Sequence, residues 1–380
     1  MSKIETLLDK HSKLRSSGIN MIASENFLSQ AVKNALASDL AGRYHSSWYG
    51  GSKFAVEIIS ETERLAREIF RVKHAIVTSL SGNMCDLAVV FAFSEPGDKV
   101  AMIPFQAGGY PLGLEKFHRK LLPLPADNRT FQLDVQGVKN VVLSEKSLLT
   151  ILGASYIPFP HPVNEITTGI KGTSICAYDG SHVLGLIACR AFQDPIREGA
   201  EVLMGSTHKS LYGPQGGIVL TNSDSHEKKL RRMLDFDLDE GIGLVDNPHM
   251  NRIAALGLAL EELSKDTDYG HRVVKNSKAL AHALDNLGVP IKFKDRGFTE
   301  SHQIFLDLDE KEAVMLCKDL EKAGIFIDIA ARIGVTEVTH KGMEISDMEF
   351  IAGVISDVLN GKNPKNIKSE VKAFSKKFSE

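Results

Sequence analysis

From about residue 65, amphipathic stretches of helical length alternate with short apolar runs of strand length. Helical stretches at 61–70 and 86–93 are interleaved with apolar runs at 75–77, 99–103, 141–143, 149–152, 174–178, 202–204 and 217–220. This alternation predicts βαβ units and an α/β fold with a mostly parallel sheet covered by helices on both faces. Ligands of such sheets bind at the carboxyl ends of the strands, where functional residues are therefore expected.

Two further segments flank this alternating region. Apolar residues at helical spacing predict an amphipathic helix over residues 3–16, with Ile4, Leu7, Leu8 and Leu14 on its apolar face. After Pro248, helical patterns lead into a strand–helix–strand–helix tail. The pattern predicts three parts: an N-terminal arm (1–30), a large domain (31–250), and a linking helix with a small C-terminal α/β domain (251–380).

Composition and charge narrow the class of protein. The 380 residues are 43% hydrophobic and 24% charged, which is typical of a globular chain. Lys+Arg 45 against Asp+Glu 48 gives a net charge of −3, so no basic field favours nucleic acid or anionic lipid. No apolar run approaches the roughly 18 residues of a membrane span, and the N-terminus lacks an apolar signal core. We expect a cytoplasmic protein that acts on small molecules and binds neither nucleic acid nor membrane.

The four cysteines are scattered along the chain without C-x-x-C spacing: Cys85, Cys176, Cys189 and Cys317. This arrangement argues against a zinc site or a disulfide framework and fits a reducing compartment. Residues 235–243 have the acidic spacing of a calcium loop. Their glycine stands at the seventh position instead of the sixth and no Glu closes the loop at the twelfth, so we expect no metal.

Two residues at predicted strand ends carry the candidate chemistry. The strand at 174–178 ends at Asp179, and the strand at 202–204 leads to Lys209. A lysine there can form a Schiff base with a carbonyl cofactor, and a carboxylate can keep a ring nitrogen protonated. Pyridoxal phosphate requires this division of roles. Either residue alone would be read as an ordinary cap or surface charge.

A third motif precedes this pair. The strand at 75–77 is followed by Thr78-Ser79-Leu80-Ser81-Gly82 and then by a helix. Backbone N–H groups at a helix N-terminus, together with the Ser81 hydroxyl, can receive a phosphate. Ser-Gly before a helix is also a common N-cap, so it is the position of the motif ahead of Asp179 and Lys209 that favours a phosphate site.

The order of motifs along nearly the whole chain resembles the serine hydroxymethyltransferase family. The motifs are Met21-Ile22-Ala23-Ser24-Glu25-Asn26-Phe27, Tyr49-Gly50-Gly51, Ser81-Gly82, Gly108-Gly109, Asp179 with His182-Val183-Leu184-Gly185-Leu186, Thr207-His208-Lys209, and Arg332 with Gly334 and Thr339. The resemblance implies the aspartate aminotransferase-like fold (fold type I), with pyridoxal phosphate held at the interface of a homodimer.

The resemblance also implies roles for individual residues. Catalytic roles fall on Lys209, Asp179, His182, Tyr44 and Tyr49. Cofactor contacts fall on Ser81, Gly82, Asn83, Tyr110, Ser155, Asp179, His182, His208, Lys209, Gly241 and Gly243. The substrate α-carboxylate is expected to meet Arg332, with Ser24 and Tyr49 beside it, because a guanidinium binds a carboxylate through two parallel hydrogen bonds.

The chain departs from the family pattern in three places. Asn83 stands where serine or threonine is usual, and Tyr110 stands where a histidine stacks on the cofactor ring. Between Tyr44 and Tyr49 the family has a catalytic glutamate, whereas this chain has His45-Ser46-Ser47-Trp48. Ser46 cannot titrate near neutrality, but the neighbouring His45 can.

The sequence therefore predicts a pyridoxal-phosphate enzyme that makes or breaks the Cα–Cβ bond of serine or another β-hydroxy amino acid. The missing glutamate makes dependence on tetrahydrofolate or a related pterin doubtful. A carrier-independent aldolase of the threonine aldolase kind is the main alternative. An aminotransferase and a non-catalytic interaction protein on the same fold are the weaker ones.

Overall fold

The computed structural model describes residues 2–46, 48–236 and 241–378. Contacts within the chain form two compact units: a larger unit, Leu28–Gly270, and a smaller unit that combines Met1–Phe27 with His271–Glu380. The sequence-based boundaries at residues 30 and 250 remain predictions about domains. The contacts group the N-terminal segment with the C-terminal one, because the short strand at residue 19 pairs near the other end of the chain.

Within the described chain, the α-helices are α1 (Lys3–Ser16), α2 (Gln30–Leu36), α3 (Lys53–Phe70), α4 (Gly82–Phe93), α5 (Val135–Ser144), α6 (Val163–Ile170), α7 (Leu184–Ala188), α8 (Asp224–Leu234), α9 (Met250–Lys265), α10 (Tyr269–Asn286), α11 (Glu310–Ala323), α12 (Thr336–His340), α13 (Ile345–Leu359) and α14 (Pro364–Ser375). The strands are β1 (Ile19–Asn20), β2 (His74–Ile76), β3 (Lys99–Met102), β4 (Lys120–Pro123), β5 (Leu149–Leu152), β6 (Ile175–Asp179), β7 (Val202–Ser206), β8 (Gly217–Thr221), β9 (Gln303–Phe305), β10 (Ile325–Phe326) and β11 (Arg332–Gly334).

A seven-stranded sheet forms the centre of the larger unit, with strand order β2-β8-β7-β6-β5-β3-β4. All neighbouring pairs are parallel except those that β8 makes with β2 and β7. Central strands such as β5 and β7 are buried along their whole length, as expected for strands covered on both faces. The prediction of a mostly parallel mixed sheet is confirmed.

In the smaller unit, two short sheets join segments that are distant in the sequence. β1 pairs with β10 in parallel, and β11 pairs with β9 in antiparallel fashion. The residues of both strand pairs are buried. Helix α11 packs on α13 and α14. It begins with a capping box made by Asp309 and Glu312. The predicted small α/β arrangement of helices and strands is present here.

One predicted strand is wrong. Residues 141–143 lie in α5, where the Asp134 side chain caps the helix by accepting the N–H of Gly137. Val138 and Val142 are one turn apart and both buried, so the valines serve the apolar face of a helix. A short β-branched run cannot by itself distinguish these two structures.

The predicted N-terminal helix matches α1, with Ser2 and Glu5 forming a capping box. Its apolar residues remain exposed in the chain: Ile4 by 66%, Leu7 by 51% and Leu8 by 62%. Across the described residues, no helix is both long and apolar enough to cross a membrane.

Candidate active site

The ends of two neighbouring parallel strands form the centre of the candidate site. Asp179 is the last residue of β6, is 9% exposed, and stands opposite Met204 of β7. Its Oδ1 accepts a hydrogen bond of 2.9 Å from the N–H of Ser181. The Ser181 hydroxyl oxygen in turn accepts the N–H of Ser206, at the end of β7, at 2.9 Å. These bonds hold the Asp179 carboxylate at the sheet edge.

Gly153 supports Asp179 from the neighbouring strand. It follows β5 with φ +91°, and a Cβ there would lie 2.0 Å from the Asp179 carbonyl oxygen. Its N–H donates to Nδ1 of the buried His161 at 3.3 Å. Only glycine allows both this backbone conformation and this approach. The position of Asp179 therefore depends on a residue without a side chain.

Lys209 lies in the turn that follows β7. The Thr207 hydroxyl donates to the Pro214 carbonyl at 2.6 Å, which closes the turn. On the other side, the hydroxyl of Ser210 accepts the N–H of Gly185 at 3.0 Å. The backbone on both sides of Lys209 is thus held by hydrogen bonds at the sheet edge.

The N-terminus of α4 is held against the same edge. Ser81 caps the helix, with its hydroxyl oxygen accepting a first-turn N–H at 3.1 Å. A Cβ on Gly82 would lie 2.2 Å from Oγ of Ser206, so the first turn approaches β7 as closely as a glycine permits. The Tyr110 hydroxyl donates to Oδ1 of Asn83 at 3.2 Å. First-turn N–H groups lack partners within a helix, which makes this end suitable for a phosphate.

Four titratable side chains act on one another here. Burial raises the pKa of Asp86 well above its ordinary value, the Asp179 charge raises it further, and Lys209 opposes the rise. Burial, then Asp86 and Asp179, also raise the pKa of Tyr110. The sheet edge thus brings together the predicted residues Asp179, Lys209 and Tyr110.

Two histidines beside this group are neutral at pH 7. Burial, and then the charge of Lys209, lower the pKa of His208 to about 4. Burial alone lowers the pKa of His161 to about 4, which leaves its Nδ1 free to accept the N–H of Gly153. Neither imidazole carries charge at neutral pH.

The other predicted cofactor residues are placed in the larger unit as follows. His182 is 4% exposed and follows the Asp179 strand end by three residues. The Ser155 N–H donates to the Gly108 carbonyl at 2.9 Å, which joins the turns after β5 and β3. Gly241 and Gly243 are exposed and directly follow residues 237–240, which lie outside the described part of the chain.

Arg332 begins β11 in the smaller unit and is 8% exposed. Its Nε donates to Oδ2 of Asp328 at 2.8 Å, and the other carboxylate oxygen of Asp328 accepts the N–H groups of Ala330 and Arg332 at 3.1 and 3.2 Å. Ala331, between them, adopts φ +51°. One carboxylate therefore fixes both the turn and the guanidinium, since a charge-assisted bond holds the Nε edge.

Ser24 lies next to the segment that packs on this strand. The N–H of Gly334 donates to the Met21 carbonyl at 2.8 Å, and Nε2 of His302 is 3.0 Å from the Ala23 carbonyl oxygen. The structure thus places the segment before Ser24 against the end of β11, two residues after Arg332.

Tyr44 and Tyr49 stack on each other, with ring centroids 4.6 Å apart and planes 15° apart. Their exposed fractions are 49% and 44%. Burial lowers the pKa of His45, which lies between them in sequence, and the charge of Asp235 partly opposes that shift. In this single chain the two tyrosines are therefore paired with each other on the surface.

Comparisons with known proteins agree on one family. A family model described as "Serine hydroxymethyltransferase" matches residues 2–355. Serine hydroxymethyltransferase of Methanopyrus kandleri is 36% identical over 409 residues, covering 98% of this chain and 92% of that protein. The enzyme of the same name from Nitrosopumilus maritimus is 35% identical over 417 residues, covering 99% and 93%.

The chain belongs to the serine hydroxymethyltransferase family. It is a pyridoxal-phosphate-dependent enzyme of the hydroxymethyltransferase type. A crystal structure of L-threonine transaldolase from Pseudomonas fluorescens in its internal aldimine state has a TM-score of 0.90 and 24% identity, and the match covers 99% of this chain and 91% of that one. At this identity the likeness shows the fold, and it confirms the predicted fold type I.

The residues of the larger unit fit the family's cofactor. An amine and a carboxylate at adjacent strand ends match the aldehyde and the ring nitrogen of pyridoxal phosphate, and the capped N-terminus of α4 matches its phosphate.

The sequence interpretation missed Asp86, His161 and Asp328. A signal existed for Asp86, which is the one charged residue in the apolar stretch Gly82–Phe93. A signal for Asp328 existed in its spacing from Arg332, since residues four apart can form an ion pair. His161 has no local signal, because its role arises from contact with the Gly153 turn.

We expect Gly153→Ala to weaken pyridoxal phosphate binding by roughly 5- to 150-fold, the equivalent of about 1–3 kcal/mol of steric strain next to Asp179. Gly172→Ala is the matched control, because Gly172 has φ +79° and a Cβ there meets nothing within 4 Å. Absorbance titration of the apoprotein measures affinity, and thermal unfolding without cofactor measures stability. Equal losses of cofactor affinity in both variants would contradict the role of the Gly153–Asp179 contact.

Proposed function

We propose that this family member cleaves β-hydroxy amino acids to glycine and an aldehyde, and catalyses the reverse addition, without needing a folate carrier. The observation that carries the proposal is the segment between Tyr44 and Tyr49, which contains a half-buried histidine and no carboxylate. Transfer to a pterin needs a group that manages protons on the carrier, whereas cleavage needs only a base for the β-hydroxyl proton.

In the larger unit, we assign Lys209 to the aldehyde carbon of the cofactor and Asp179 to its ring nitrogen. Ser81, Gly82 and the first-turn amides of α4 bind the phosphate. When bound, pyridoxal phosphate accepts the electron pair released from Cα. The N–H of Ser181 supports this role by fixing the orientation of the Asp179 carboxylate. His182, Tyr110, Ser155 and His208 complete the assigned contacts with the cofactor.

In the smaller unit, we assign Arg332 to the α-carboxylate of the amino acid, with Ser24 beside it. Asp328 occupies the Nε edge of the guanidinium and so fixes its plane. A carboxylate held by a fixed guanidinium orients the amino acid, and orientation selects which Cα bond breaks.

We assign the β-hydroxyl proton to His45. Burial lowers the pKa of this imidazole, so it is neutral at pH 7 and able to accept a proton. Asp235 lies close enough to stabilise the imidazolium that forms. Aldehydes that leave from threonine-like substrates need no carrier, so this one base is sufficient for them.

We further propose a homodimer with shared sites. The stacked Tyr44 and Tyr49 are about half exposed, Trp48 is 74% exposed, and Ile242 beside Gly241 and Gly243 is 51% exposed. Aromatic and apolar side chains of this kind are enriched at protein interfaces. The tyrosines and the two glycines then serve the partner's site. A cytoplasmic location remains a prediction.

Assays with and without tetrahydrofolate decide between a carrier-independent aldolase and an ordinary hydroxymethyltransferase. We expect cleavage of allo-threonine or phenylserine without any carrier, and less than about threefold acceleration of serine cleavage by tetrahydrofolate. His45→Ala should slow the aldol reaction by roughly 10²- to 10⁴-fold, the usual contribution of general-base catalysis. Wild-type activity should fall with decreasing pH as His45 becomes protonated, below about pH 6.5, and the variant should lack this limb. A large folate-dependent acceleration of serine cleavage would return the enzyme to the ordinary hydroxymethyltransferases.

Arg332→Ala should raise the KM for the amino acid by roughly 10- to 150-fold, because a charge-assisted hydrogen bond contributes about 1.5–3 kcal/mol. Cofactor absorbance should not change. Lys362→Ala, which removes a surface ion pair with Asp357 in the same unit, should leave KM unaltered. Steady-state kinetics measure both variants, and an unchanged KM for Arg332→Ala would refute its role in binding carboxylate.

Shared sites predict complementation between inactive protomers. Mixed dimers of Lys209→Ala and Tyr49→Phe protomers should regain up to about one quarter of wild-type activity, because half of the protomers form mixed pairs and each pair has one intact site. Activity is measured after unfolding and refolding the mixture, with each variant refolded alone as the control. Absence of any rescue would show that each subunit contains its complete site.

A further inference from the structure

Asp86 is a buried acid that the assigned cofactor contacts leave without a role. It lies in the second turn of α4, the helix whose N-terminus we assign to the phosphate, and it is 2% exposed. Its Oδ1 is buried and has no hydrogen-bond partner among the described residues. An ionised carboxylate without a donor is costly in such a place, whereas a protonated one loses much less on burial.

The groups that act on Asp86 come from several elements. Asp179 at the end of β6 opposes its ionisation, and Lys209 in the turn after β7 favours it. Tyr110, after β3, and Cys85, on the same helix, also interact with the Asp86 charge, and burial raises the pKa of both, so they are neutral at pH 7. Among the described residues, the groups that interact with Asp86 are thus one anion, one cation and two neutral groups.

The two carboxyl groups are not equivalent. Oδ1 of Asp179 accepts a backbone N–H at 2.9 Å, whereas the buried Oδ1 of Asp86 receives no hydrogen bond from the described residues. When two interacting carboxyls bind one proton, the proton resides on the one with fewer donors. Burial and the neighbouring Asp179 both raise the pKa of Asp86, in agreement with that distribution.

We propose that Asp86 is a further positioning residue of the cofactor site, a neutral carboxylic acid that leaves Asp179 as the single negative charge there. The inference rests on the assignment of Asp179 to the ring nitrogen. With Asp86 neutral, Asp179 and Lys209 balance each other. An ionised Asp86 would add negative charge close to the end of α4 that receives the phosphate dianion, and it would weaken cofactor binding.

The protonation state can be observed directly in the apoprotein. Infrared difference spectra at pH 7 should show the carbonyl band of a protonated carboxylic acid that Asp86→Asn removes. Glu337→Gln is the matched control, because Glu337 is also a buried acid but accepts hydrogen bonds from Asn20 and Lys341, each at 2.7 Å, and the Asp86 band should persist in this variant. An unchanged band in Asp86→Asn would overturn the proposal.

Thermal unfolding of the apoprotein gives a second readout. An acid whose pKa is raised by folding keeps its proton in the folded chain while the unfolded chain ionises, so wild-type stability should fall relative to Asp86→Asn as the pH rises above about 4. The melting temperature of Asp86→Asn should therefore exceed that of the wild type by an amount that grows with pH. A constant difference across this range would contradict a bound proton on Asp86.

The positioning role is tested by cofactor affinity. Asp86→Asn, which is neutral and of the same shape, should bind pyridoxal phosphate within about threefold of the wild type at pH 7.5 and should lose the wild-type weakening at alkaline pH. Identical alkaline profiles would refute the role. Peptide mapping after borohydride reduction tests the attachment of the cofactor to Lys209 separately, so failure of that assignment is distinguishable from failure of the Asp86 inference.

Discussion

The parallel pairing of β6 with β7 is the constraint on which the rest of the larger unit depends. It sets Asp179 and the Lys209 turn at one sheet edge, and a serine hydroxyl from one strand end then accepts the amide of the other. The backbone of the Gly153 turn and the first turn of α4 both approach this edge at distances that exclude a side chain. Few substitutions that add atoms can be accommodated at this edge, because a closely packed interior has no space for them.

Much of this arrangement could be predicted from the sequence, because the chemistry lies at the ends of strands whose apolar runs are distinct. The ends of these strands point to Asp179 and Lys209, whose roles stay a prediction. The valines of α5 were misread, because a short β-branched run fits the apolar face of a helix as well as a strand. The pairing of β1 with β10 joins opposite ends of the chain, and no local pattern encodes it. Asp86, by contrast, had a visible signal, a lone charge in an apolar helix.

Family membership and reaction are separate questions in this chain. The residues that we assign to the cofactor and to the amino acid carboxylate are each held by a local hydrogen bond: Ser181 fixes Asp179, and Asp328 fixes Arg332. The change falls instead on the short segment that contains His45. An enzyme can keep the residues that hold its cofactor and orient its amino acid while one proton-transfer residue is replaced. Such a replacement can change which second substrate the enzyme uses.

The two neutral imidazoles beside the strand ends make the stability of the folded chain depend on pH. His161 and His208 both titrate near pH 4 in the folded chain, below the value of about 6.5 expected when the chain unfolds. As the pH falls from about 6.5 towards 4, the unfolded chain takes up protons that the folded chain does not, so the free energy of unfolding decreases. Protonation of Nδ1 also ends the ability of His161 to accept the Gly153 amide. The backbone behind Asp179 therefore depends on the lone pair of the His161 Nδ1, which protons occupy only as the pH approaches about 4.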